Sequence, residues 1–232
     1  MMNEFPAQTE NQATLENWRS VPFNKWAFHH VRQIVPSADI ANAPDQVQAL
    51  EKSDRNLQGL AIPTNDGNID LYSFLEQTNS DGFVVLHKGC IVTEQYANGM
   101  TAITPHILMS VSKSMLGLLA GILVEQSRLK TEALVSEYIP ELGNTAYKDA
   151  TVRNLLDMRA GIEFNEDYLL TSGPLIEYRK ATGWNPLGLG ETASDLRTFF
   201  KELTDSDGPH NGRFHYVSPN TDLMAWIIER AT

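Results

Sequence analysis

The side chains of this chain that could do covalent chemistry begin with a serine and a lysine three positions apart. Ser110-Val111-Ser112-Lys113 stands where a helical pattern begins, so the serine and the lysine would share one helical face. A serine hydroxyl is a poor nucleophile until a base takes its proton, and a lysine amine can accept that proton once burial favours its neutral form. The helix N-terminus would add a positive dipole beside an oxyanion. The pair predicts attack by Ser110 on a carbonyl carbon.

Spacing of this kind also arises by chance. A second match, Ser127 to Lys130, follows an apolar helical pattern instead of opening it, and we interpret it as the chance occurrence. For Ser110 the alternative interpretation is an N-cap serine followed by a surface lysine.

A third side chain with suitable chemistry is Tyr216, which precedes Val217-Ser218-Pro219 and an apolar helical pattern. A phenol directed at the serine and lysine could carry a proton to a leaving group, provided that a nearby ammonium stabilises its phenolate. The alternative is a half-buried tyrosine that only packs the start of a helix.

These side chains must be positioned by a sheet and several helices. The clearest strand signal is a hairpin of residues 83–86 and 91–96 around a Lys88-Gly89 turn. Residues 110–126 predict a helix that is buried on most of its circumference and lies against the sheet. Shorter helices are predicted at 69–78, after a turn at 65–68, and at 152–158, 194–203 and 220–230.

This order of elements predicts an α+β fold, with an antiparallel sheet flanked by helices and a helical insertion. The expected segments are an N-terminal arm (1–55), an α/β body (56–126 and 211–232) and a mostly helical insertion (127–210). The arm is rich in proline, and Trp18, Phe23, Trp26 and Phe28 are available to pin it to a surface.

Composition excludes several classes of partner. The net charge of −11 disfavours nucleic acid and anionic membrane surfaces, because both require clustered Lys and Arg. The most apolar stretch, 115–124, has half the roughly 20 residues that a membrane helix needs. A single cysteine, Cys90, rules out an intrachain disulfide, and the N-terminus lacks a secretory pattern, so we expect a cytoplasmic protein.

No metal or organic cofactor is expected. The six histidines lack the spacing of a zinc site. Glu163, Glu166 and Asp167 lack a calcium-loop pattern and predict a solvated acidic face. Gly188-Leu189-Gly190 lacks the remaining glycine of a dinucleotide fingerprint.

The combination of Ser110-Val-Ser-Lys113 and Tyr216-Val-Ser218 resembles the serine β-lactamase and penicillin-binding-protein superfamily, in its class C and esterase-like branch. The chain is similar, more narrowly, to the 6-aminohexanoate-dimer hydrolases, the nylon-oligomer enzymes, and to related carboxylesterases. This similarity extends from about residue 15 to the last residue. It is carried by Trp26-Ala-Phe-His-His-Val-Arg32, Gly82-Phe-Val-Val-Leu-His-Lys-Gly89, Leu155-Leu-Asp-Met-Arg-Ala-Gly161, Asn165-Glu-Asp-Tyr168 and Tyr216-Val-Ser-Pro-Asn-Thr-Asp222.

The resemblance implies a β-lactamase/transpeptidase-like fold and a serine hydrolase that forms an acyl-enzyme. Ser110 would be the nucleophile and an oxyanion donor through its backbone N–H, Lys113 the general base, and Tyr216 the proton shuttle. Ser218 and Tyr168 would bind substrate. Because β-lactamases usually carry Asn where Ser218 stands, this departure favours small esters or amides over β-lactams. The alternatives are a β-lactamase or D-Ala-D-Ala carboxypeptidase, and a non-catalytic sensor that binds β-lactams or peptides.

Members of this family continue with further strands of the central sheet, one of which supplies a second oxyanion donor. Only 16 residues follow Tyr216, and they do not read as such a strand. We therefore expect that C-terminal strands are missing, and that either the chain is a fragment or a second polypeptide or another copy completes the sheet. Alone, the chain would expose an apolar face.

Overall fold

The computed structural model describes residues 8–232, and these form two compact units. The first unit extends to Ile107, and the second runs from Leu108 to Thr232. The predicted boundaries at 55, 126 and 210 are not boundaries of these units, and the three-part division stays a prediction. The first seven residues of the predicted arm, and with them the interpretation of the N-terminus as non-secretory, lie outside the described residues.

The N-terminal part of the first unit has little regular structure, as its prolines predict. It contains one short helix, α1 (Asn24–Ala27), and 3-10 turns at Thr9–Asn11, Val31–Gln33 and Pro44–Gln46. Trp18 is completely buried and packs edge-to-face on Phe28, with 6.2 Å between ring centroids. Aromatic burial therefore anchors this irregular segment within its unit.

A small hairpin precedes the first longer helix of this unit. Strands β1 (Ala61–Thr64) and β2 (Gly67–Asp70) pair antiparallel, and helix α2 (Leu71–Gln77) follows at once. The Asp70 carboxylate caps α2 by accepting the backbone N–H groups of Tyr72 and Ser73. The sequence predicted the turn and the helix but not the strands, because each has only four residues and β1 contains a proline.

The second hairpin is the predicted one. Strands β3 (Gly82–His87) and β4 (Cys90–Tyr96) pair antiparallel across the Lys88-Gly89 turn. On the other edge of β4, the segment at 51–55 runs parallel, with Ser53 N–H donating to Ile91 O and Arg55 N–H to Val92 O, each at 2.8 Å. The arm thus supplies backbone partners to the sheet edge.

The second unit is helical. The predicted helices near 152, 194 and 220 are confirmed as α5, α7 and α8, whereas α6 was not predicted, although Pro174 directly after Gly173 is a recognisable start signal. The helices are α3 (Ser112–Glu125), α4 (Val135–Tyr138), α5 (Val152–Leu156), α6 (Pro174–Ala181), α7 (Leu196–Glu202) and α8 (Ser218–Ala231), with a 3-10 turn at Pro140–Leu142.

Helix α8 contributes much of the core of the second unit. Leu223 and Ile227 are completely buried, and Trp226 stacks on Phe200 with 6.2 Å between ring centroids. At its first turn, Asn220 is completely buried and its Oδ1 accepts the Tyr147 hydroxyl at 2.9 Å. This buried hydrogen bond fixes the start of α8, because an unpaired amide there would be costly.

The prediction that α3 is buried on most of its circumference is wrong for the described structure. Ala120 and Leu123 are buried, but Met115, Leu118 and Ile122 are 64%, 66% and 54% exposed. The apolar pattern correctly predicted the helix, but it does not say what the helix packs against. We expected from the sequence that the chain alone would expose an apolar face, and α3 presents such a face.

Within residues 8–232, no helix combines the length and the apolar character that crossing a membrane would require.

Candidate active site

Ser110 lies in a tight turn immediately before α3. A 3-10 turn at Met109–Val111 leads directly into the helix, and the Ser112 hydroxyl closes this turn by donating to Met109 O at 2.6 Å. Met109 has a left-handed backbone with φ of 46°, a conformation that costs a side-chain-bearing residue about 1 kcal/mol. The turn leaves the Ser110 side chain exposed.

The three predicted catalytic side chains are brought together. Lys113 Nζ lies 3.1 Å from Ser110 Oγ, and Tyr216 Oη lies 2.8 Å from the same oxygen. Lys113 Nζ is also 5.6 Å from the centre of the Tyr216 ring. An amine and a phenol, each able to give or take a proton, therefore both contact one hydroxyl oxygen.

Tyr216 is placed by backbone contacts to the segment after α5. His215 N–H donates to Met158 O at 2.7 Å. Arg159 binds the same loop, since its guanidinium donates to Gly212 O at 2.6 Å. These bonds hold the residue before Tyr216 in a fixed register, so the phenol reaches Ser110 from across the unit.

A close backbone approach tightens this junction. Ser206 Oγ donates to Gly161 O at 2.8 Å, and Glu163 N–H donates to Asp205 O at 2.9 Å. A Cβ on Gly161 would lie only 2.1 Å from Gly208 O, so any side chain there would force the backbones apart. Gly161 is therefore the residue that lets the two segments meet.

Ser218, which the resemblance implied as a substrate contact, lies behind Tyr216 and is buried. Its backbone N–H donates to Glu166 Oε2 at 2.6 Å, and its hydroxyl donates to the other carboxylate oxygen of Glu166. Glu166 Oε1 also accepts the hydroxyl of Tyr168 at 2.9 Å. One carboxylate therefore ties both predicted substrate-binding residues to the start of α8.

The expectation of a solvated acidic face holds for Glu163 and Asp167, whose side chains are exposed, but it is wrong for half-buried Glu166. The sequence did not predict that Glu166 binds Ser218, because the two residues are far apart in the chain. Spacing alone carries no signal for such a contact.

Tyr168 presents an aromatic ring and a phenol at the surface of the second unit. Its side chain is 59% exposed, and the Arg179 guanidinium lies 5.6 Å from its ring centre. Partial burial, with a smaller contribution from the Glu166 hydrogen bond, raises the pKa of Tyr168 to about 12. The phenol therefore stays protonated at neutral pH and can donate a hydrogen bond.

A second carboxylate, that of Asp222, is influenced by the charge of Lys113. Asp222, on α8, accepts the hydroxyl of Tyr178 from α6. Burial raises the pKa of Asp222, although the Tyr178 hydrogen bond and the charge of Lys113 act in the opposite direction. Burial also raises the pKa of Tyr178 well above its ordinary range, and the nearby Asp222 charge adds to this shift.

The second Ser-x-x-Lys match has a different structure. Ser127 takes a left-handed backbone, with φ of 56°, in the turn that ends α3, and both Ser127 and Lys130 are exposed. This position supports the interpretation of the match as a chance occurrence.

The catalytic trio is only partly shielded from solvent. Lys113 and Tyr216 are half-buried, but Ser110 is exposed. Within residues 8–232, the group of side chains that could hold a metal ion lies in the first unit.

Comparisons with known proteins extend these observations. A family model described as Beta-lactamase matches residues 71–232. The 6-aminohexanoate-dimer hydrolase of Paenarthrobacter ureafaciens is 32% identical over 228 residues, which cover 98% of this chain and 56% of that protein. A solved structure of a candidate 6-aminohexanoate-dimer hydrolase from Bacillus anthracis matches with a TM-score of 0.87 at 27% identity, over 97% of this chain and 59% of that one.

The structural match confirms the predicted fold class, which is α+β and β-lactamase-like, with small antiparallel sheets and a set of helices. The chain spans little more than half the length of the curated relative that it matches.

Proposed function

Because this chain belongs to the Beta-lactamase family, we propose that it carries the nucleophile and proton-transfer groups of a serine hydrolase that cleaves small esters or amides. The observation that carries this proposal is the convergence of Lys113 Nζ and Tyr216 Oη on Ser110 Oγ, at 3.1 and 2.8 Å.

In the first half-reaction, Ser110 Oγ attacks the substrate carbonyl carbon while its proton passes to the amine of Lys113. The positive end of α3 stabilises the charge on the carbonyl oxygen, and the Ser110 N–H is a donor for it. Collapse of the tetrahedral intermediate breaks the bond to the leaving group, which takes a proton by way of Tyr216.

In the second half-reaction, water attacks the acyl group on Ser110 and gives up a proton through the same pair of side chains. The products are a carboxylic acid and the alcohol or amine, and Ser110 regains its hydrogen. Tyr168 lies beside this site and is the proposed contact for the leaving-group side. The dimer of 6-aminohexanoate is the first amide to test, because the relatives that match this chain are named for it.

Labelling with a fluorophosphonate tests the nucleophile directly. We expect one label per chain, located at Ser110 by peptide mass spectrometry, and loss of labelling and of nitrophenyl ester hydrolysis in Ser110→Ala. The matched control is Ser127→Ala, which removes the serine of the chance motif and should leave both unchanged. Labelling that persists in Ser110→Ala would contradict the proposal.

Proton transfer is tested at the other two positions. Tyr216→Phe and Lys113→Met should each lower kcat by about 10²-fold to 10⁴-fold, the usual contribution of a general acid or base. Lys130→Met is the control and should be neutral. A burst of product that stops after one equivalent would instead indicate a non-catalytic sensor.

A further inference from the structure

Three side chains from separate segments of the first unit converge at one point. His29 follows α1, Asp81 immediately precedes β3, and His106 lies in the segment after β4. Asp81 Oδ2 is 3.3 Å from His29 Nε2 and 3.0 Å from His106 Nε2. One ligand-type atom from each residue lies within 4.8 Å of the other two.

Asp81 and His106 each use their second polar atom, the one outside the cluster, in a hydrogen bond to another group. Asn98 Nδ2 donates to Asp81 Oδ1 at 2.7 Å, and His106 Nδ1 lies 2.7 Å from Ile107 O. Since a carbonyl oxygen can only accept, the proton of a neutral His106 must sit on Nδ1. Its Nε2 lone pair then lies 3.0 Å from a carboxylate oxygen, so either a second ring proton or a bound cation must separate the two atoms.

The third side chain provides an independent sign of a missing ligand. The His29 side chain is only 5% exposed, and its buried Nε2 has no hydrogen-bond partner among the described residues. A buried polar atom without a partner costs about 1 to 3 kcal/mol, so such atoms in proteins call for an explanation. This nitrogen lies 3.3 Å from the same Asp81 oxygen that His106 contacts, but it does not form a hydrogen bond with that oxygen.

We propose that His29 Nε2, Asp81 Oδ2 and His106 Nε2 bind a divalent transition cation, with Zn²⁺ as the best match. Imidazole and carboxylate ligands bind zinc at about 2.0 to 2.2 Å, and a tetrahedral arrangement then separates neighbouring ligand atoms by roughly 3.3 Å. The observed separations of 3.0 and 3.3 Å from Asp81 fit this value.

The surroundings also match those of metal sites. A histidine ligand usually donates its other ring N–H to a backbone carbonyl, and a ligating carboxylate is usually hydrogen-bonded in turn. Ile107 O and Asn98 Nδ2 are placed for these two roles. An open cleft of about 690 Å³, lined in part by Phe28, Asp81 and His106, gives the ion access and leaves room for a water ligand.

A cation at this position would join the irregular N-terminal segment to the start of β3 and to the end of the first unit. Its expected effect is stabilisation of the folded chain, because a ligand that binds only the folded state shifts the unfolding equilibrium. Spacing did not predict this site, because its ligands come from three distant segments. The proposal does not depend on hydrolase activity.

The test uses the full chain, freed of any histidine tag and treated with EDTA. Titration calorimetry with Zn²⁺ should show one equivalent bound with a dissociation constant of about 1 μM or below. The melting temperature should rise with zinc, and Co²⁺ should give the visible absorption bands of a tetrahedral complex. His106→Gln and Asp81→Asn should each weaken zinc binding by about 100-fold or more.

Two further variants make the test specific. Asn98→Gly keeps all three ligands and suits the left-handed backbone of Asn98, with φ of 53°, so it should weaken zinc binding by only about 10-fold. His87→Gln removes an exposed histidine at the end of β3 and should leave binding unchanged.

The melting temperature of each variant is also compared with that of the wild type without metal. A variant that melts like the wild type but binds zinc weakly has lost a ligand and not its fold. The proposal is overturned if the wild-type chain binds no stoichiometric zinc. In that case a proton, and not a metal ion, would lie between His106 and Asp81. The proposal is equally overturned if His106→Gln and Asp81→Asn fold and bind zinc as the wild type does.

Discussion

Glu166 binds three groups of the second unit with one carboxylate: the backbone N–H and hydroxyl of Ser218 and the phenol of Tyr168. Glu166→Ala would leave the buried Ser218 without these partners. We expect the unfolding free energy to fall by about 1 to 3 kcal/mol, the cost of unsatisfied buried polar groups. Ester hydrolysis should also slow, because Ser218 is two residues from Tyr216. Denaturant unfolding and steady-state kinetics measure the two effects.

The matched control is Glu163→Ala, which removes an exposed carboxylate from the same segment. Its effect on unfolding should stay within about 0.5 kcal/mol. Equal effects of the two substitutions would show that Glu166 has no special role in holding Tyr168 and Ser218.

Asp222 should make stability depend on pH in an unusual direction for a carboxylate. Burial raises its pKa in the folded chain, so the folded state holds this proton more tightly than the unfolded state does. Its contribution to stability is complete below about pH 4, the ordinary aspartate value, and is lost as pH rises through the raised pKa. The unfolding free energy of wild type minus that of Asp222→Asn should therefore decrease as pH rises through this window.

Tyr178→Phe supplies the complementary measurement. The Tyr178 hydroxyl favours the charged form of Asp222, so its removal should raise the pKa of Asp222 further and extend the pH-dependent window upward. Unfolding curves from about pH 4 to pH 7 test both variants. A wild-type advantage that grows with pH would refute this account of Asp222.

Local spacing explains which parts of the site were predictable. Ser110 and Lys113 are three residues apart at a helix start, so their contact follows from helical geometry alone. The position of Tyr216 depends on contacts across the second unit. Its chemistry made it a candidate, and the family resemblance implied its role as the proton shuttle. The buried contacts of Glu166 and Asp222 were not predicted, because their partners are distant in the chain. The burial of a carboxylate cannot be inferred from residue spacing.

At the scale of elements, the contact between the segment after α5 and the loop before α8 sets the position of Tyr216. Gly161→Ala would place a Cβ 2.1 Å from Gly208 O, so the two backbones must separate. We expect a loss of about 1 to 3 kcal/mol in unfolding free energy, as for other overpacked sites. A shift of the phenol by about 1 Å should lower kcat by roughly 10²-fold.

Gly121→Ala is the control for that substitution. A Cβ on Gly121 meets no atom within 4 Å, and the residue lies in the interior of α3. Alanine has a higher helix propensity than glycine, so this variant should be stabilised by up to about 1 kcal/mol. If Gly161→Ala were as harmless, the close approach would not be what positions Tyr216.

The elements that the sequence predicted correctly have strong local signals. The β3–β4 hairpin combines β-rich runs with a Lys-Gly turn, and α8 combines an apolar period with Pro219 in its first turn. The β1–β2 hairpin was missed because its strands are short. The burial of α3 was wrong because an apolar pattern identifies a helix without identifying its packing partner.

At the scale of the whole molecule, the family relationship includes both compact units. The family model begins at residue 71 and ends at 232, so it crosses the division after Ile107. The solved relative covers 97% of this chain. The match is therefore a property of the whole chain and not only of the unit that contains Ser110.

The exposed face of α3 should govern how the 232-residue chain behaves in solution. Met115, Leu118 and Ile122 follow helical spacing and form one apolar stripe beside the half-exposed Leu119. Such stripes favour association, whereas a net charge of −11 opposes it through repulsion. We expect the chain to enhance the fluorescence of a hydrophobic dye, and to self-associate more strongly as added salt screens the repulsion.

Replacing Leu118 and Ile122 together by Gln should abolish most of the dye signal and weaken the salt-dependent association, as measured by sedimentation. The control replaces Leu169 and Leu189 by Gln. These leucines are almost fully exposed but lie outside the stripe. Because isolated apolar side chains do not form a binding surface, the control should behave as the wild type does. If both double variants lowered the dye signal equally, total apolar exposure and not the α3 stripe would be responsible.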